Sequence, residues 1–421
     1  MAVAAVAALA LTAACSNGDA DGDSVDGVDG GGGEDSAQLR LALWDEAQMP
    51  ATQAIIDEFE EANPGTTVEI ELTPIDQYWT KLETAATGRA APDVFWMSMG
   101  EFRRFAQGGV LVDFAPLMER DGYTLDGIYP ELQTAYEMDG GLYGVPKDID
   151  NLGLWYNKDY FDAAGLDYPD DTWTWDDLLE AAVALTDADN NVYGFAASPN
   201  ENRSIMSVVH QNGGTLLYND GTPGFEEPAT LEALNWWHDL YAVHQVSPNA
   251  EQFAETSGPA MFSSGQVAMW IGGSWMAGQF AADPAGEAFD VAPLPVGPVG
   301  AGSAGHGIGY AMYSESEFPD QAWALVKFLG SERAGEIQAE TSTVIPAHEA
   351  AAAGWVASAP QFNLQAFIDQ ASSAAFFIPS SINSGQVRSE VNAVMQRVFM
   401  GELTVEEGAA ELTAFAESVS D

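Results

Sequence analysis

Carboxylate and amide groups that could hydrogen-bond a ligand cluster in the segment YGVPKDIDNLGLWYNKDYF, residues 143–161. Pro146 cannot donate to a sheet ladder, so we expect a short strand to end there and a second, apolar strand to begin after Asn151. Two strands that meet end to end across polar groups indicate a chain that passes from one lobe of a protein to another. Asp148, Asp150 and Asn151 would then face whatever lies between the lobes. The alternative is that they form a solvated polar loop.

Aromatic residues near predicted strand ends add a second element of ligand chemistry. A sugar ring offers an apolar face, which aromatic side chains cover, and a rim of hydroxyl groups, which carboxylates and amides bind. The residues of these types near strand ends and loops are Trp44, Trp96, Trp270, Trp275, Asp45, Glu46, Asp148, Asp150, Asn151 and Asn200. Core packing is the favoured interpretation for Trp96 and Trp270, which lie inside apolar runs. For Trp275, which follows two glycines, we favour stacking on a ligand.

Catalytic and cofactor motifs are weak in comparison. The sequence GGS at 272–274 lacks the final glycine of a nucleophile elbow, and no glycine-rich nucleotide loop follows a strand. Cys15 is the only cysteine and the five histidines have no paired spacing, so we expect no metal site and no cofactor. A pair among the 64 acidic residues could hydrolyse a glycoside, and the sequence leaves that alternative open.

Composition sets the size and the surface of the protein. A chain of 421 residues, 47% of them hydrophobic, predicts two folded domains. The net charge of −51 excludes a basic nucleic-acid-binding surface. Because self-repulsion of that size weakens a compact state unless salt screens it, the charge favours an acidic, halophilic protein. A cation-binding protein is the alternative, which the spread of the acids along the whole chain disfavours.

The elements that must position these residues follow a βαβαβ order. Strands are predicted over 39–44, 67–73 and 93–97, with an amphipathic helix between each pair. This order is typical of an open, mostly parallel α/β sheet with helices on both faces. In such sheets ligands bind beyond the carboxyl ends of the strands, which here are Trp44–Glu46 and Met97–Met99.

The N-terminus has the composition of an export signal. Residues 1–14 are small and apolar but too few to span a membrane, and LTAAC, ending at Cys15, is similar to a bacterial lipobox. Residues 1–15 are therefore a predicted signal peptide, with Cys15 as the lipidation site. The lack of Lys or Arg before the apolar stretch leaves open whether the true start lies upstream. Residues 16–37 are rich in Gly, Asp and Ser and predict a disordered tether.

Seven motifs stand in a specific order along the chain: PDVFWM (92–97), FAQGGVLVDF (105–114), GVPKDIDNLGLWYNKDYF (144–161), WTWDDL (173–178), GQVAMWIGGSW (265–275), APLPVGP (292–298) and FMGELTVEEGAAEL (399–412). Together they resemble the carbohydrate-binding branch of extracellular solute-binding protein family 1, the maltose-binding-protein-like substrate-binding lipoproteins of ABC transporters. Each motif is weak alone, but their order behind a lipobox and a tether is specific. The resemblance covers the chain from about residue 39 to about residue 419.

The resemblance implies a type II periplasmic-binding-protein-like fold, with two lobes that are each an open, mostly parallel sheet flanked by helices. Lobe I would hold residues 38–147 and 308–330, and lobe II residues 148–307 and 331–421. His306, just before a crossing between the lobes, is a candidate contact, with a core or loop histidine as the alternative. Carried over position by position, the other ligand-binding residues would be Trp44, Asp45, Glu46, Met97, Ser98, Asp150, Asn151, Asn200 and Trp275.

The function implied is that of a non-enzymatic receptor, lipid-anchored outside the cell on the cytoplasmic membrane. It would bind a sugar or oligosaccharide between the lobes, close on it by hinge bending, and deliver it to the permease of an ABC importer while acting as a monomer. Two alternatives stay open. One is a surface-anchored glycoside hydrolase, and the other is a binding protein for a cationic solute such as a polyamine.

Overall fold

The computed structural model of the chain describes residues 36–419 except 201, 342, 374 and 378–383, so Cys15 and the predicted signal peptide lie outside the described residues. The strands are β1 Ala37–Leu43, β2 Thr66–Leu72, β3 Val94–Ser98, β4 Glu137–Met138, β5 Gly141–Leu142, β6 Val145–Pro146, β7 Asp148–Ile149, β8 Leu152–Asn157, β9 Met269–Gly273, β10 Phe289–Ala292, β11 Ser303–Gly305, β12 Ile308–Met312, β13 Ile345–Pro346 and β14 Ala375–Phe377.

Helices occupy most of the connections between these strands. They are α1 Met49–Ala62, α2 Ile75–Thr87, α3 Phe102–Gln107, α4 Ala115–Asp121, α5 Pro130–Gln133, α6 Lys158–Ala164, α7 Trp175–Leu185, α8 Asn202–Gln211, α9 Pro228–Ala242, α10 Ala250–Glu255, α11 Gly258–Ser263, α12 Ala277–Ala282, α13 Pro319–Leu329, α14 Glu332–Glu340, α15 Glu349–Ser358, α16 Gln365–Ser373, α17 Ser384–Phe399 and α18 Val405–Val419. Local sequence explains several of their starts. At α7, for example, the Thr174 hydroxyl accepts from the Asp177 backbone N–H, and the Asp177 carboxylate accepts in return from the Thr174 N–H.

The first sheet has the strand order β2-β1-β3-β12-β6. β1, β2 and β3 are parallel, as the βαβαβ order predicts, and α1 and α2 are the crossover helices. β12 enters from the other half of the chain and runs antiparallel to β3, with Ile308 opposite Ser98. β6 pairs with β12 at the edge and ends at Pro146, whose missing N–H stops the ladder.

The second sheet has the order β10-β8-β9, and its strands are antiparallel. This differs from the mostly parallel sheet expected for this half of the molecule. The reason is that β8 begins at the crossing, where Leu152 pairs with Gly273 at the end of β9. β8 therefore runs away from the crossing, whereas β9 and β10 run toward it.

Three segments of the chain lie side by side between the two sheets. One contains β7, the second contains His306 and the third contains β13. β7 pairs antiparallel with β13, and Asp150 exchanges two backbone hydrogen bonds with His306, at N–O distances of 2.8 and 3.0 Å. The backbone N–H of Ile308 donates to Oδ1 of Asp148 over 2.8 Å. The polar crossing predicted from the sequence therefore lies against both of the other segments, the one with His306 and the one with β13.

Buried apolar side chains form two clusters, one that runs from the first sheet onto one face of the second and one that includes the helices α7, α8, α9, α17 and α18. β8 contributes to both, because Leu154 and Tyr156 belong to the second cluster and Trp155, on the opposite face, belongs to the first. Its continuous apolar sequence follows from this burial on both faces. α14 packs on α1, and Arg333 in α14 forms an ion pair with Glu58 in α1 over 2.7 Å.

Candidate functional site

A cavity of about 590 Å³ opens where the crossing segments meet the carboxyl ends of β1, β3 and β9. Parallel strands place their carboxyl ends at one edge of a sheet, which is why residues after β1 and at the end of β3 meet here. The lining residues are Trp44, Asp45, Gln48, Ile75, Trp79, Ser98, Asp148, Asp150, Asn202, Arg203, Trp275, Met276, Gln279, His306, Ile308, Val344 and Arg388.

The structure brings together seven of the predicted ligand-binding residues at this cavity. They are Trp44, Asp45, Ser98, Asp148, Asp150, Trp275 and His306. These side chains come from five separate parts of the sequence, between 44 and 306. Their convergence on one cavity is what a binding site built from strand ends and crossings requires.

The other four predicted residues do not line the cavity. Met97 precedes Ser98 in β3, so its side chain lies on the opposite, buried face of the sheet. Asn151 is fully buried, and its amide donates to the Phe367 carbonyl over 2.8 Å. Glu46 and Asn200 are exposed. Asn151 thus fastens the crossing to α16, and direct contact between a ligand and any of these four residues stays a prediction.

An aromatic wall, formed by Trp44 and Trp79, bounds one side of the cavity. The Trp44 ring packs edge-on against Tyr78 and Trp96, with ring centroids 4.9 and 5.1 Å apart. Its centroid lies 5.5 Å from that of Trp79. Tyr78 is buried and donates its O–H to the Trp96 carbonyl over 2.9 Å, so the support behind the wall is rigid. Rigid rings lose little entropy when a ligand packs on them.

Trp275 lines the cavity from the other sheet and is half-buried. It follows β9, and the guanidinium carbon of Arg203 lies 4.9 Å from its ring centroid, within cation–π distance. The ring covers Gly273 so closely that a Cβ atom there would lie 1.9 Å from the Trp275 ring. The glycine that precedes this tryptophan in the motif therefore serves to let the ring lie flat against the backbone.

We expect Gly273→Ala to displace the Trp275 ring, because no Cβ fits beneath it. Affinity for the cavity's ligand should fall at least tenfold, and the free energy of unfolding should fall by about 1–3 kcal/mol, the usual cost of overpacking. Titration calorimetry and urea unfolding measure the two effects. Gly300→Ala is the matched control, because nothing lies within 4 Å of a Cβ at that position. Unchanged affinity in Gly273→Ala would show that the ring position does not matter for binding.

A buried hydrogen-bond network supports the carboxylates on the crossing. The Lys147 ammonium contacts the Asp148 carboxylate over 2.5 Å and donates to Oε1 of Gln48 over 2.7 Å. It also lies 4.5 Å from the Trp96 ring centroid. The Gln48 amide in turn donates to the Asp45 carboxylate over 2.8 Å. The network holds the Asp45 and Asp148 side chains in one orientation, and the charge of Lys147 balances that of Asp148.

Asp150 forms a second buried group with Arg203 and His306. Arg203 binds the Asp150 carboxylate and also donates to the Ala304 carbonyl over 2.6 Å, and Nδ1 of His306 lies 3.9 Å from Oδ2 of Asp150. Burial raises the pKa of Asp150 to about 6, with Asp148 adding to the effect and Arg203 opposing it. Burial and the nearby Arg203 and Arg388 hold the pKa of His306 well below its usual range, so His306 is neutral.

The raised pKa of Asp150 makes the stability of the ligand-free protein depend on pH. The pKa of this carboxyl is 3.8 in the reference state and about 6 in the folded protein, so the folded protein binds more protons between those values. The stability that Asp150 contributes is therefore lost as pH rises through about 6. The free energy of unfolding of the wild type minus that of Asp150→Asn should fall by on the order of 1 kcal/mol between about pH 5 and about pH 7.5.

Subtracting the Asp150→Asn value removes the repulsion among the other acids, which both proteins share. The measurement is urea unfolding of both proteins without ligand, in molar salt. A difference that is flat with pH, or that grows as pH rises, would show that Asp150 is not a carboxyl of raised pKa.

Several cavity residues were not predicted from the sequence, notably Gln48, Trp79, Arg203 and Arg388. A signal existed for Trp79, which stands four residues after Ile75 on one face of α2, next to the end of the first sheet. For the two arginines the signal was their rarity, since Lys and Arg number only 13 in the chain and a basic residue stands out more than an acidic one. Apart from this rarity, nothing in the sequence around Arg388 indicates that it reaches the cavity.

The two α/β sheets, the three connecting segments and the cavity beside them define a two-lobed binding protein of the periplasmic type. The chain belongs to the bacterial extracellular solute-binding protein family, whose model matches residues 44–336. The predicted family, the two-lobed fold and a non-enzymatic, solute-binding role are thereby confirmed. None of the described helices is long and apolar enough to cross a membrane.

Solved structures and a curated relative agree with this assignment. An ABC substrate-binding protein from Listeria monocytogenes, in complex with cycloalternan, superposes with a TM-score of 0.85 at 25% identity and covers 91% of this chain and 99% of its own. A solute-binding protein from Thermotoga lettingae, bound with α-D-tagatose, has a TM-score of 0.80 at 27% identity, covering 92% and 100%. The mannitol-binding protein of Pseudomonas aeruginosa is 25% identical over 318 residues, or 73% of this chain and 72% of that protein.

Proposed function

We propose that the cavity binds a sugar or oligosaccharide and that the protein delivers it to the permease of an ABC importer. The observation that carries this proposal is the combination of an aromatic wall on one sheet with Trp275 on the other, and of fixed carboxylates between them. Two aromatic surfaces can cover the apolar faces of sugar rings, while Asp45 and Asp148 accept hydrogen bonds from hydroxyl groups. The named ligands of the relatives are a cyclic oligosaccharide, a ketose and a sugar alcohol.

The alternative of a cationic solute is disfavoured by the partners of the cavity acids. Lys147 binds Asp148 and Arg203 binds Asp150, so these carboxylates already have a cation. A polyamine would have to compete with both of these buried ion pairs. Uncharged hydroxyl groups can instead donate to the remaining lone pairs of the carboxylates.

We further propose that the protein closes by bending at the three connecting segments. A ligand that contacts Trp44 and Trp275 together favours the closed state, because only contacts made in one state shift the balance between two states. The lobe boundaries are part of this proposal. Because β12 joins the first sheet, we place the return of the chain to lobe I at about residue 308. Because α14 packs on α1, this second part of lobe I extends at least through Glu340 rather than ending at 330.

The proposal includes a monomer anchored through a lipid on Cys15, which lies outside the described residues. One acyl chain contributes about 0.8 kcal/mol for each CH₂ group buried in the membrane, and stable anchoring needs more than one chain. We expect radiolabelled fatty acid to be incorporated by the wild type and not by Cys15→Ser when both are expressed in a bacterial host. Label on both proteins, or on neither, would contradict lipidation at Cys15.

The experiment that tests the ligand class is thermal unfolding in molar salt with a panel of monosaccharides, sugar alcohols and oligosaccharides. A ligand that binds only the folded state raises the melting midpoint by mass action. At a hundredfold excess over Kd, it adds about 2.7 kcal/mol to the free energy of unfolding. We expect at least one sugar to raise the midpoint and to be recovered unchanged after hours with the protein. No shift with any sugar, together with a shift with an amine or another solute, would overturn the sugar proposal.

A further inference from the structure

The cavity wall formed by α8 and α17 carries hydrogen-bonding atoms that lack a partner within the described part of the chain. They are Nε of Arg203, Nη1 of Arg388 and Oδ1 of Asn202, all buried. The Asn202 amide donates to the Arg388 carbonyl over 3.0 Å and so links the starts of the two helices. A buried donor without an acceptor costs free energy, which a bound ligand can recover.

The acids that line the same cavity are, in contrast, already partnered. Asp148 accepts from Lys147 and from the Ile308 backbone, Asp45 accepts from Gln48 and the Ala47 backbone, and Asp150 binds Arg203. The protein as a whole carries 64 acidic residues against 13 basic ones, yet two of the 13 line this cavity. Among the described lining residues, two of the three buried side-chain atoms without a hydrogen-bond partner therefore belong to arginines.

The two guanidinium groups share one region, and the second lacks a full counterion. Glu101 accepts from Arg388 over 3.4 Å but is also bound by Arg104 over 3.1 Å, so its charge is divided. Burial lowers the pKa of Arg388 from its usual value, and the positive charge of Arg203 lowers it further. Arg388 also lies against Gly100, where a Cβ would be 2.2 Å from its Nη1, so only glycine leaves room for the guanidinium.

We infer that the ligand is an acidic sugar, one that bears a carboxylate or phosphate group, and that Arg203 and Arg388 bind this group. The inference rests on the proposed sugar-binding function of the cavity. An anion placed between two guanidinium groups relieves their mutual repulsion and accepts from donors that have no acceptor. Charge-assisted hydrogen bonds are about twice as strong as neutral ones, and the planar guanidinium matches a carboxylate or phosphate. A neighbouring sugar hydroxyl can donate to Oδ1 of Asn202, which has no partner among the described residues.

The test compares matched acidic and neutral ligands by titration calorimetry with the full-length protein in molar salt, which screens the overall charge. The pairs are glucuronate with glucose, galacturonate with galactose, their short oligomers, and glucose 6-phosphate with glucose. We expect the acidic member of at least one pair to bind at least ten times more tightly. The uronate pairs test a carboxylate and the glucose 6-phosphate pair tests a phosphate, so the experiment shows which of the two anionic groups is bound. Acetate and inorganic phosphate are the controls, and equal binding of these ions would show a non-specific anion site and overturn the inference.

Substitution of the arginine then assigns the preference to this wall of the cavity. In Arg388→Gln the acidic and neutral members should bind within about twofold of each other, and Arg388→Lys should recover part of the preference. Arg397→Gln, on the same helix but in an exposed ion pair with Glu411, should keep it in full. If Arg388→Gln does not fold, Arg388→Lys replaces it: the preference for the acidic member should fall below that of the wild type, and an unchanged preference would overturn the inference.

The outcomes separate this inference from the proposal it rests on. Neutral members that bind as tightly as their acidic partners would overturn the acidic-sugar inference and leave sugar binding intact. A preference for acids that is unchanged in a folded Arg388→Gln would also overturn it. No binding of any sugar would overturn the sugar-binding function itself.

Discussion

Replacing Trp275 with alanine is expected to weaken sugar binding about 30-fold and to leave the protein folded. The ring is half-buried at the cavity and supplies the aromatic surface on the side of the second sheet. Losing an aromatic contact costs about 1 kcal/mol beyond the area it buries, and the apolar surface lost adds about as much. The sum of about 2 kcal/mol corresponds to about 30-fold in Kd, measured by titration calorimetry.

Trp236→Ala is the matched control for this prediction. Trp236 is also half-buried, but it stacks on Trp175, with ring centroids 4.1 Å apart, and does not line the cavity. It should lower the melting midpoint without changing sugar affinity. If both variants bound sugar as tightly as the wild type does, the proposal that Trp275 contacts the ligand would be wrong. An equal loss of affinity in both variants would mean that Trp275 acts through general stability.

Replacing Lys147 with methionine is expected to cost about 3–5 kcal/mol of unfolding free energy, the largest stability effect among these predictions. Lys147 and Asp148 are both buried, and their side chains contact over 2.5 Å. Methionine keeps an unbranched chain in that place, but it loses the charge that lies over the Trp96 ring and leaves the buried Asp148 carboxylate without a cation. Gln48 also loses the donor to its side-chain oxygen, which frees Asp45 to move.

Urea unfolding at neutral pH measures this cost, with Arg333→Met as the control. Arg333 also forms an ion pair, with Glu58, but both side chains are exposed, so solvent screens the interaction. We expect the control to leave the midpoint nearly unchanged. A small effect of Lys147→Met would show that Asp148 does not depend on Lys147 as its counterion, and the fixed orientation of the crossing carboxylates would then need another cause.

The parts of this protein that the sequence predicts are those set by local pattern. The apolar run of β3 and the βαβ order predict a parallel sheet, and a parallel sheet predicts that Trp44 and Ser98 meet at one edge. The polar stretch after Pro146 predicts the crossing, because proline ends the strand there. The two glycines before it, and then the family motif, point to Trp275, which no pattern of periodicity would single out.

The parts that the sequence does not predict depend on contacts between distant segments. Arg388 reaches the cavity from α17, whose own pattern shows only an amphipathic helix. The strands of the second sheet are antiparallel because β8 starts at the crossing, and strand direction leaves no mark on composition. Asn151 was expected to face the ligand, yet its amide turns to the Phe367 carbonyl, 216 residues away in the chain.

One calorimetric titration decides whether the cavity between the two sheets is a sugar site. The full-length protein in molar salt is titrated with the sugar that most raises its melting midpoint, alongside Trp275→Ala and Trp236→Ala. We expect one sugar per chain for the wild type and the control, an affinity about 30-fold lower in Trp275→Ala, and sugar recovered unchanged. Binding that is identical in all three proteins, or heat from consumption of the sugar, would contradict it.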